Sequence, residues 1–335
     1  MSRAPLVEGT GAATAQVVPW LLPGDALSND ALAIAAQLAP RGQTTLHCRG
    51  PVHPGLQSLV TAGDPPARAR VLVHIDEREA DTGHVEGASV VARVHALAPP
   101  RPERIRFERY DAVLAGSSWT GSRAADRGAD HVAVVPPFLP LDAFLDAYTD
   151  LGSHADAVVV VGPFRRDSAL PDAVLVDHEL RAHFAPQVRL CAIGRATEEP
   201  MARVVSALCD ELRLGSPWAG HLGHGDYVHA IGSGAVVLHV GGPSAFGSAL
   251  VEAMAIGTPV VARAGGAVAE TLGGAGILLP ADADPFLIAE AVWAVVSDSA
   301  LRDRLRTAGR GRAQQLAPAA SAVLLDQALA SVGWW

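Results

Sequence analysis

Gly241-Gly242-Pro243-Ser244-Ala245-Phe246-Gly247-Ser248-Ala249-Leu250-Val251-Glu252-Ala253-Met254, running on to Gly257-Thr258-Pro259-Val260-Val261-Ala262, is the stretch whose reading decides the fold. A short β-rich run, Ala235–Val240, precedes the glycines. The residues after Gly247 have helical composition, and the helical run stops at Gly257 before another β-rich run. This is a strand, loop, helix and strand in series, with a glycine-rich bend that lets backbone N–H groups approach an anion at a helix start. Glu252 lies two turns further along the helix, on a face that can look back at the loop. A carboxylate there can accept hydrogen bonds from a ribose diol.

Working outward, β-rich runs alternate with helical ones almost throughout, the pattern of a parallel α/β architecture. In the first half the strands expected are Ala15–Trp20, Thr44–Cys48, Val71–Ile75, Ala88–Val94, Asp111–Ala115 and His131–Val135, with helices at Asn29–Leu38 and Ser118–Arg127. Ser28 or Asn29 can cap the first of these helices. Pro136 through Ser153 breaks the alternation. A second series follows: strands at Ala157–Val161, Val188–Ile193, near Trp218–Leu222, Ala235–Val240, Pro259–Ala262 and Gly276–Leu279. Its helices are Pro171–Phe184, Met201–Leu212, Ser248–Ile256, Pro285–Val296 and Ala300–Gln315. The reading is therefore two doubly wound Rossmann-like domains, 1–140 and 157–316, joined by a linker at 141–156. An apolar tail, 317–335, completes the chain. Ligands of such domains bind at the carboxyl ends of the strands, here expected in a cleft between the two.

The glycine-rich stretch resembles the signature of the retaining nucleotide-sugar glycosyltransferases of family 4, which have the GT-B fold. In that family a Glu, seven residues and a second Glu bracket the donor sugar and ribose. Aligned on Phe246-Gly247 and Glu252-Ala253-Met254, the second Glu is present and the first position is Ser244. Ala264 through Gly276, the Asp282–Asp284 loop and the helices over Ala289–Gln315 look like the usual family-4 ending. Gly24-Asp25-Ala26-Leu27-Ser28-Asn29 resembles the opening loop of a bacterial branch, and Val94-His95 stands where that branch commonly has a His. Tyr110 through Ser118, then Gly128 and Val134–Phe138, resembles the segment leading to the interdomain linker, and the tail resembles a final helix crossing back onto the N-terminal domain.

The resemblance implies a glycosyltransferase moving a sugar from a nucleotide diphosphate donor to a hydroxyl acceptor, a small molecule or glycoconjugate, with retention and without a metal. A non-catalytic GT-B paralogue acting as a binding subunit is the alternative. The donor contacts implied are Gly24, Asp25, Gly162, Gly242, Ser244, Phe246, Gly247, Ser248, Ala249, Leu250 and Glu252. His95 would stand near the donor or the acceptor hydroxyl, where imidazole can exchange a proton. The family places an Arg directly after the Gly of the second domain's first strand and a Lys about five residues on. Here Pro163 follows Gly162 and Ser168 stands near the Lys position, so Arg165 and Arg166 are the candidates to grip the diphosphate. Ser244 can hydrogen-bond a sugar hydroxyl but offers no charge, a difference that an altered donor sugar, deoxygenated or amino-substituted, would remove.

Composition narrows the classes. All 26 basic residues of the 335 are Arg, so any site needing a side-chain cation at neutral pH uses a planar guanidinium. A formal net charge of −9 without a long basic stripe argues against nucleic acid. Cys48, Cys191 and Cys209 lack metal-ligand spacing and read as buried thiols. Asp282-Ala283-Asp284 looks like a metal-binding Asp-x-Asp but sits where a helix cap is expected, and His221, His224 and His229 form no convincing ligand set, so no metal and no cofactor are expected. No apolar run approaches a membrane span, and the N-terminus shows no leader pattern, so a cytoplasmic protein is expected. Arg101–Arg109, with four Arg and two Glu, reads as a solvated amphipathic face, with peripheral contact to an anionic membrane or a phosphorylated acceptor as the alternative. His74 with Asp76 reads as ordinary strand-end chemistry. A nicotinamide enzyme would need Gly-x-Gly-x-x-Gly after a first strand, which neither half has.

Overall fold

A computed structural model describes residues 14–18, 26–41, 44–48, 52–60, 71–74, 89–94, 107, 110–145, 157–162, 164, 168–194 and 199–331. The chain forms two compact units, Met1–Leu139 with Ala317–Trp335, and Pro140–Leu316. Both are α/β with parallel sheets.

The first unit contains β1 (Thr14–Val18), α1 (Ala26–Leu38), β2 (Thr44–Cys48), β3 (Val71–His74), β4 (Ser89–Val94), β5 (Ala112–Ala115), α2 (Ser118–Ala125) and β6 (Val132–Val134). Its sheet has the order β2-β1-β3-β4-β5-β6, all parallel. The helix expected from Asn29 begins at Ala26, so Ser28 and Asn29 lie within it and do not cap it. Ser117 caps α2, its Oγ accepting from the Thr120 amide at 3.1 Å.

Asp30, fully buried, accepts the Phe138 amide at 2.8 Å and so ties α1 to the chain leaving β6. Asp30→Ala is expected to leave that N–H unsatisfied and to cost about 1–3 kcal/mol. Urea denaturation followed by circular dichroism would show it as a lower midpoint with an unchanged slope.

The second unit contains α3 (Asp142–Leu145), β7 (Ala157–Val161), α4 (Leu170–His183), β8 (Arg189–Ile193), α5 (Glu199–Glu211), β9 (Trp218–Gly220), α6 (His224–Ser233), β10 (Val236–His239), α7 (Ser248–Ile256), β11 (Val260–Arg263), α8 (Val268–Leu272), β12 (Ile277–Leu279), α9 (Pro285–Ser297) and α10 (Ser299–Gln315). Its sheet order is β12-β11-β10-β7-β8-β9, all parallel. Val158 and Val160 join the core under α4, α5 and α9. Val159, pointing to the opposite face, is fully buried as well. Covering both faces is what turns these strands into continuous valine runs.

α11 (Pro318–Ser331) returns to the first unit, where Leu325, Ala328 and Leu329 share a core cluster with Ala31, Ile34 and Leu38 of α1. The boundary between the units falls between Leu139 and Pro140. Of the segment 141–156 expected as a linker, α3 packs on α7 within the second unit and residues 146–156 lie outside the described residues. No described helix is long and apolar enough to cross a membrane.

The arginines of α10 hold the second unit together in one recurrent way. Arg302 donates to the carbonyls of Val295 and Val296 at the end of α9, Arg310 to that of Ile256 at the end of α7, and Arg312 to those of Glu270 and Thr271 at the end of α8. Each guanidinium thus meets the negative end of a helix dipole and its orphan carbonyls. Gly257, at φ 94°, leaves the space that Arg310 fills, since a Cβ there would lie 2.7 Å from its Nη2.

Candidate active site

The order of strands in the second sheet reverses between β7 and β10, and ligands of doubly wound sheets bind outside the carboxyl ends at such a switch point. β7 ends there at Val161-Gly162 and β10 at His239, followed by Val240-Gly241-Gly242. The two exits lie close together: a Cβ on Gly241 would stand 3.3 Å from the Ser168 carbonyl oxygen and 3.5 Å from His239 Cε1. Gly162 is equally confined, because a Cβ would meet the Phe164 backbone nitrogen at 2.9 Å.

The glycine-rich bend is clamped from the far side by the loop after β11. Ser244 and Gly266 form a parallel bridge, with Ser244 N–H donating to the Gly265 carbonyl at 3.4 Å and Ala267 N–H to the Ser244 carbonyl at 2.7 Å. Phe246 is buried, and its carbonyl accepts from the Thr271 hydroxyl. Arg263 at the end of β11 binds Asp172 at 2.6 Å, the Ala283 carbonyl at 3.0 Å and the Val240 carbonyl at 3.3 Å, fixing the base of the bend. The loop is therefore held through its backbone, leaving the Ser244 side chain to face Gly247, 3.6 Å from where a Cβ would be.

Gly247 takes the left-handed conformation, φ 89°, and starts α7 with no side-chain cap. The Leu250 amide bonds back to the Gly247 carbonyl, at 2.9 Å, and so does that of Val251. The amides of Gly247, Ser248 and Ala249 have no acceptor among the described residues, so three N–H groups at the positive end of a helix dipole are open to an anion. Glu252 lies one turn into the helix, not two, because α7 begins at Ser248. It therefore shares a face with Ser248, four residues earlier.

Glu252 is partly accessible, and its Oε2 accepts the Tyr227 hydroxyl at 2.5 Å. Burial raises the carboxyl above its usual range, and the Tyr227 hydrogen bond opposes that rise. The Tyr227 phenol is held well above its own usual range by burial, by the Glu252 charge and by the hydrogen bond, so at neutral pH it is a donor. The ring of Phe144 stands edge-on to Tyr227 at 6.3 Å and to His224 at 5.4 Å.

Tyr227 was not foreseen in the sequence, and neither were α6 and α8. α6 carries three glycine or serine residues and two histidines in ten positions, weak helix formers, and its only pattern is Tyr227, Val228 and Ile231 at helical spacing. His239 was also missed. Burial lowers its basicity, and its Nε2 is buried with no partner among the described residues, so a neutral imidazole sits beside the bend.

Of the expected donor contacts, the structure brings Gly242, Ser244, Phe246, Gly247, Ser248, Ala249, Leu250 and Glu252 into one loop and helix start, with Gly162 at the neighbouring strand exit. Phe246 and Leu250 are buried, so they support the loop rather than line a surface. Gly24, Asp25, His95, Pro163, Arg165 and Arg166 lie outside the described residues. Asp284 caps α9, accepting the Leu287 amide at 2.8 Å, as its position suggested. His221, His224 and His229 are exposed.

Residues 153–312 match the family Glycosyl transferases group 1. No curated protein sequence matches the chain significantly. Among solved structures it is similar to HepE of Anabaena in complex with UDP-glucose, with a TM-score of 0.74 at 16% identity over 95% of this chain and 99% of that one. Sucrose-phosphate synthase of Thermosynechococcus elongatus gives 0.72 at 17% identity, covering 96% and 98%. WaaG, a glycosyltransferase involved in lipopolysaccharide biosynthesis, gives 0.65 at 17% identity, covering 92% and 98%. The parallel sheets and these structural matches together show a GT-B fold, within which residues 153–312, in the second unit, carry a region matching the family Glycosyl transferases group 1.

Proposed function

We propose that the chain transfers a sugar from a UDP-sugar to a hydroxyl acceptor, a small molecule or glycoconjugate, with retention of configuration. The observation that carries the reading is Glu252, a carboxylate with one oxygen held by Tyr227, one turn below three open amides at the carboxyl ends of β7 and β10. A carboxylate at that place accepts from ribose hydroxyls while the amides of Gly247, Ser248 and Ala249 meet the diphosphate. HepE of Anabaena, similar in fold, was solved with UDP-glucose, which favours uracil as the base.

Transfer develops charge on the departing β-phosphate, and fixed N–H dipoles aimed at it lower the barrier without a metal. Arg165 and Arg166 follow Gly162 in sequence and would add cationic charge. In the retaining reading the departing phosphate takes the acceptor proton on the same face, so no protein base is required. Ser244 in place of a Glu removes one charged contact to the donor sugar, which favours a sugar other than glucose, deoxygenated or amino-substituted.

Calorimetric titration with UDP, GDP, ADP and dTDP, followed by turnover of a panel of UDP-sugars, tests this. Micromolar binding of UDP and release of UDP from one sugar in the panel are expected. Binding of none of the four would overturn the donor site and favour a non-catalytic binding subunit.

A further inference from the structure

Glu252 carries two oxygens, and the structure treats them differently. Oε2 accepts the Tyr227 hydroxyl, and Oε1 has no partner among the described residues. Tyr227 comes from α6, which packs on α7, and its ring is steadied by buried Phe144 of α3. The orientation of the carboxylate is therefore set by two neighbouring elements rather than by its own helix.

We infer that Tyr227 is a positioning residue of the donor site, holding Glu252 by Oε2 so that Oε1 is presented as the acceptor of a ribose hydroxyl. The inference rests on the reading of Glu252 as the ribose acceptor. A carboxylate free to rotate would lose side-chain entropy on binding, whereas one already pinned loses little. The hydrogen bond also favours the charged form of a carboxyl that burial pushes toward the neutral one. The sign follows: removing the phenol hydroxyl raises the Glu252 pKa further, so the anion, and with it ribose recognition, is lost at a higher pH as the solution is acidified.

Few other ionisable groups compete for this control among the described residues. On α6, Asp226 and His229 are exposed and His224 stands against Phe144. Asp142 of α3 and Glu270 of α8 are exposed. Arg310 of α10 is spent on the Ile256 carbonyl at the far end of α7, Arg263 of β11 on Asp172, and His239 of β10 is kept neutral by burial.

The test is calorimetric binding of UDP and of 2′,3′-dideoxy-UDP from about pH 5 to pH 8, by the full chain as wild type, Tyr227→Phe, Glu252→Gln and the double variant. Wild type is expected to prefer UDP, and Glu252→Gln to abolish most of that preference. Tyr227→Phe is expected to cut it by about threefold to tenfold, to move its acid limb to higher pH, and to add nothing in the Glu252→Gln background. A merely structural tyrosine would lower thermal stability and leave the UDP to dideoxy-UDP ratio and the acid limb in place. If Tyr227→Phe does not fold, Phe144→Leu loosens the same ring and is expected to move both readouts the same way, by less.

Discrimination by wild type that is lost in Glu252→Gln but unchanged in ratio and pH limb in Tyr227→Phe would overturn the role of Tyr227 alone. Equal binding of the two nucleotides by wild type, or no binding of UDP, would overturn the ribose reading of Glu252 and the role of Tyr227 with it.

Discussion

Gly266→Ala is expected to unseat the glycine-rich loop at Ser244 and to lower the thermal midpoint of the protein by about 6–12 °C. Gly266 stands at φ 61°, and a Cβ added there would lie 2.3 Å from the Ser244 carbonyl oxygen and 2.7 Å from its nitrogen. These are backbone atoms, so no rotamer change relieves the overlap. The Gly265–Ala267 segment must move away from Ser244, breaking the bridge that holds the bend, at a cost of roughly 3 kcal/mol once left-handed strain is included. At about 2–4 °C per kcal/mol for a domain of this size, the stated fall follows.

Gly274→Ala is the control, since Gly274 has φ 82° but nothing within 4 Å of the added Cβ. It carries only the dihedral cost of about 1 kcal/mol, or roughly 2–4 °C. Scanning calorimetry of both variants, with UDP titrated into each, separates steric overlap from strain. Equal shifts in the two would show that Ser244 is not pressed against Gly266. Retained UDP affinity in Gly266→Ala would show that the clamp does not shape the donor site.

Glu252→Gln carries the second large effect, weakening UDP about 10- to 150-fold, the worth of a charge-assisted hydrogen bond of roughly 1.5–3 kcal/mol. Glutamine keeps the shape of the side chain, and its amide oxygen can still accept from Tyr227. It then turns an NH2 toward the nucleotide, a donor where a ribose hydroxyl needs an acceptor. The change is small in volume on a helix whose other contacts, from Leu250 to Ile256, are apolar and buried. Unfolding should therefore stay close to wild type while binding falls. Unchanged UDP affinity would move the ribose to another part of the molecule.

Much of this architecture can be read from local residues. Gly247 marks the helix start because glycine takes the left-handed conformation at little cost, Gly241 marks the bend because a Cβ there would press on the Ser168 carbonyl oxygen, and the limits of α7, Ser248–Ile256, match the expected run from end to end. The valine runs of β7, β10 and β11 announce strands covered on both faces. The Glu252-Ala253-Met254 segment carries the family resemblance, and residues 153–312 match that family.

What was not legible depends on partners far away in the chain. α6 has weak local helical signal, and it is held by contacts such as the Thr258 hydroxyl donating to the Ile231 carbonyl at 2.9 Å. Such tertiary bonds override propensity. Tyr227 therefore escaped notice although it is the residue that grips Glu252.

The sequence by itself determined the alternation of strands and helices, the glycine bend and the identity of its carboxylate, because these depend on backbone freedom and on periodicity within a few residues. Tertiary structure alone decided that β7 and β10 lie side by side at the switch point, that Gly266 closes on Ser244, and that a phenol 25 positions away orients Glu252. Each of those is a contact between segments distant in sequence, set by how the sheet orders its strands, and no local pattern of residues encodes that order.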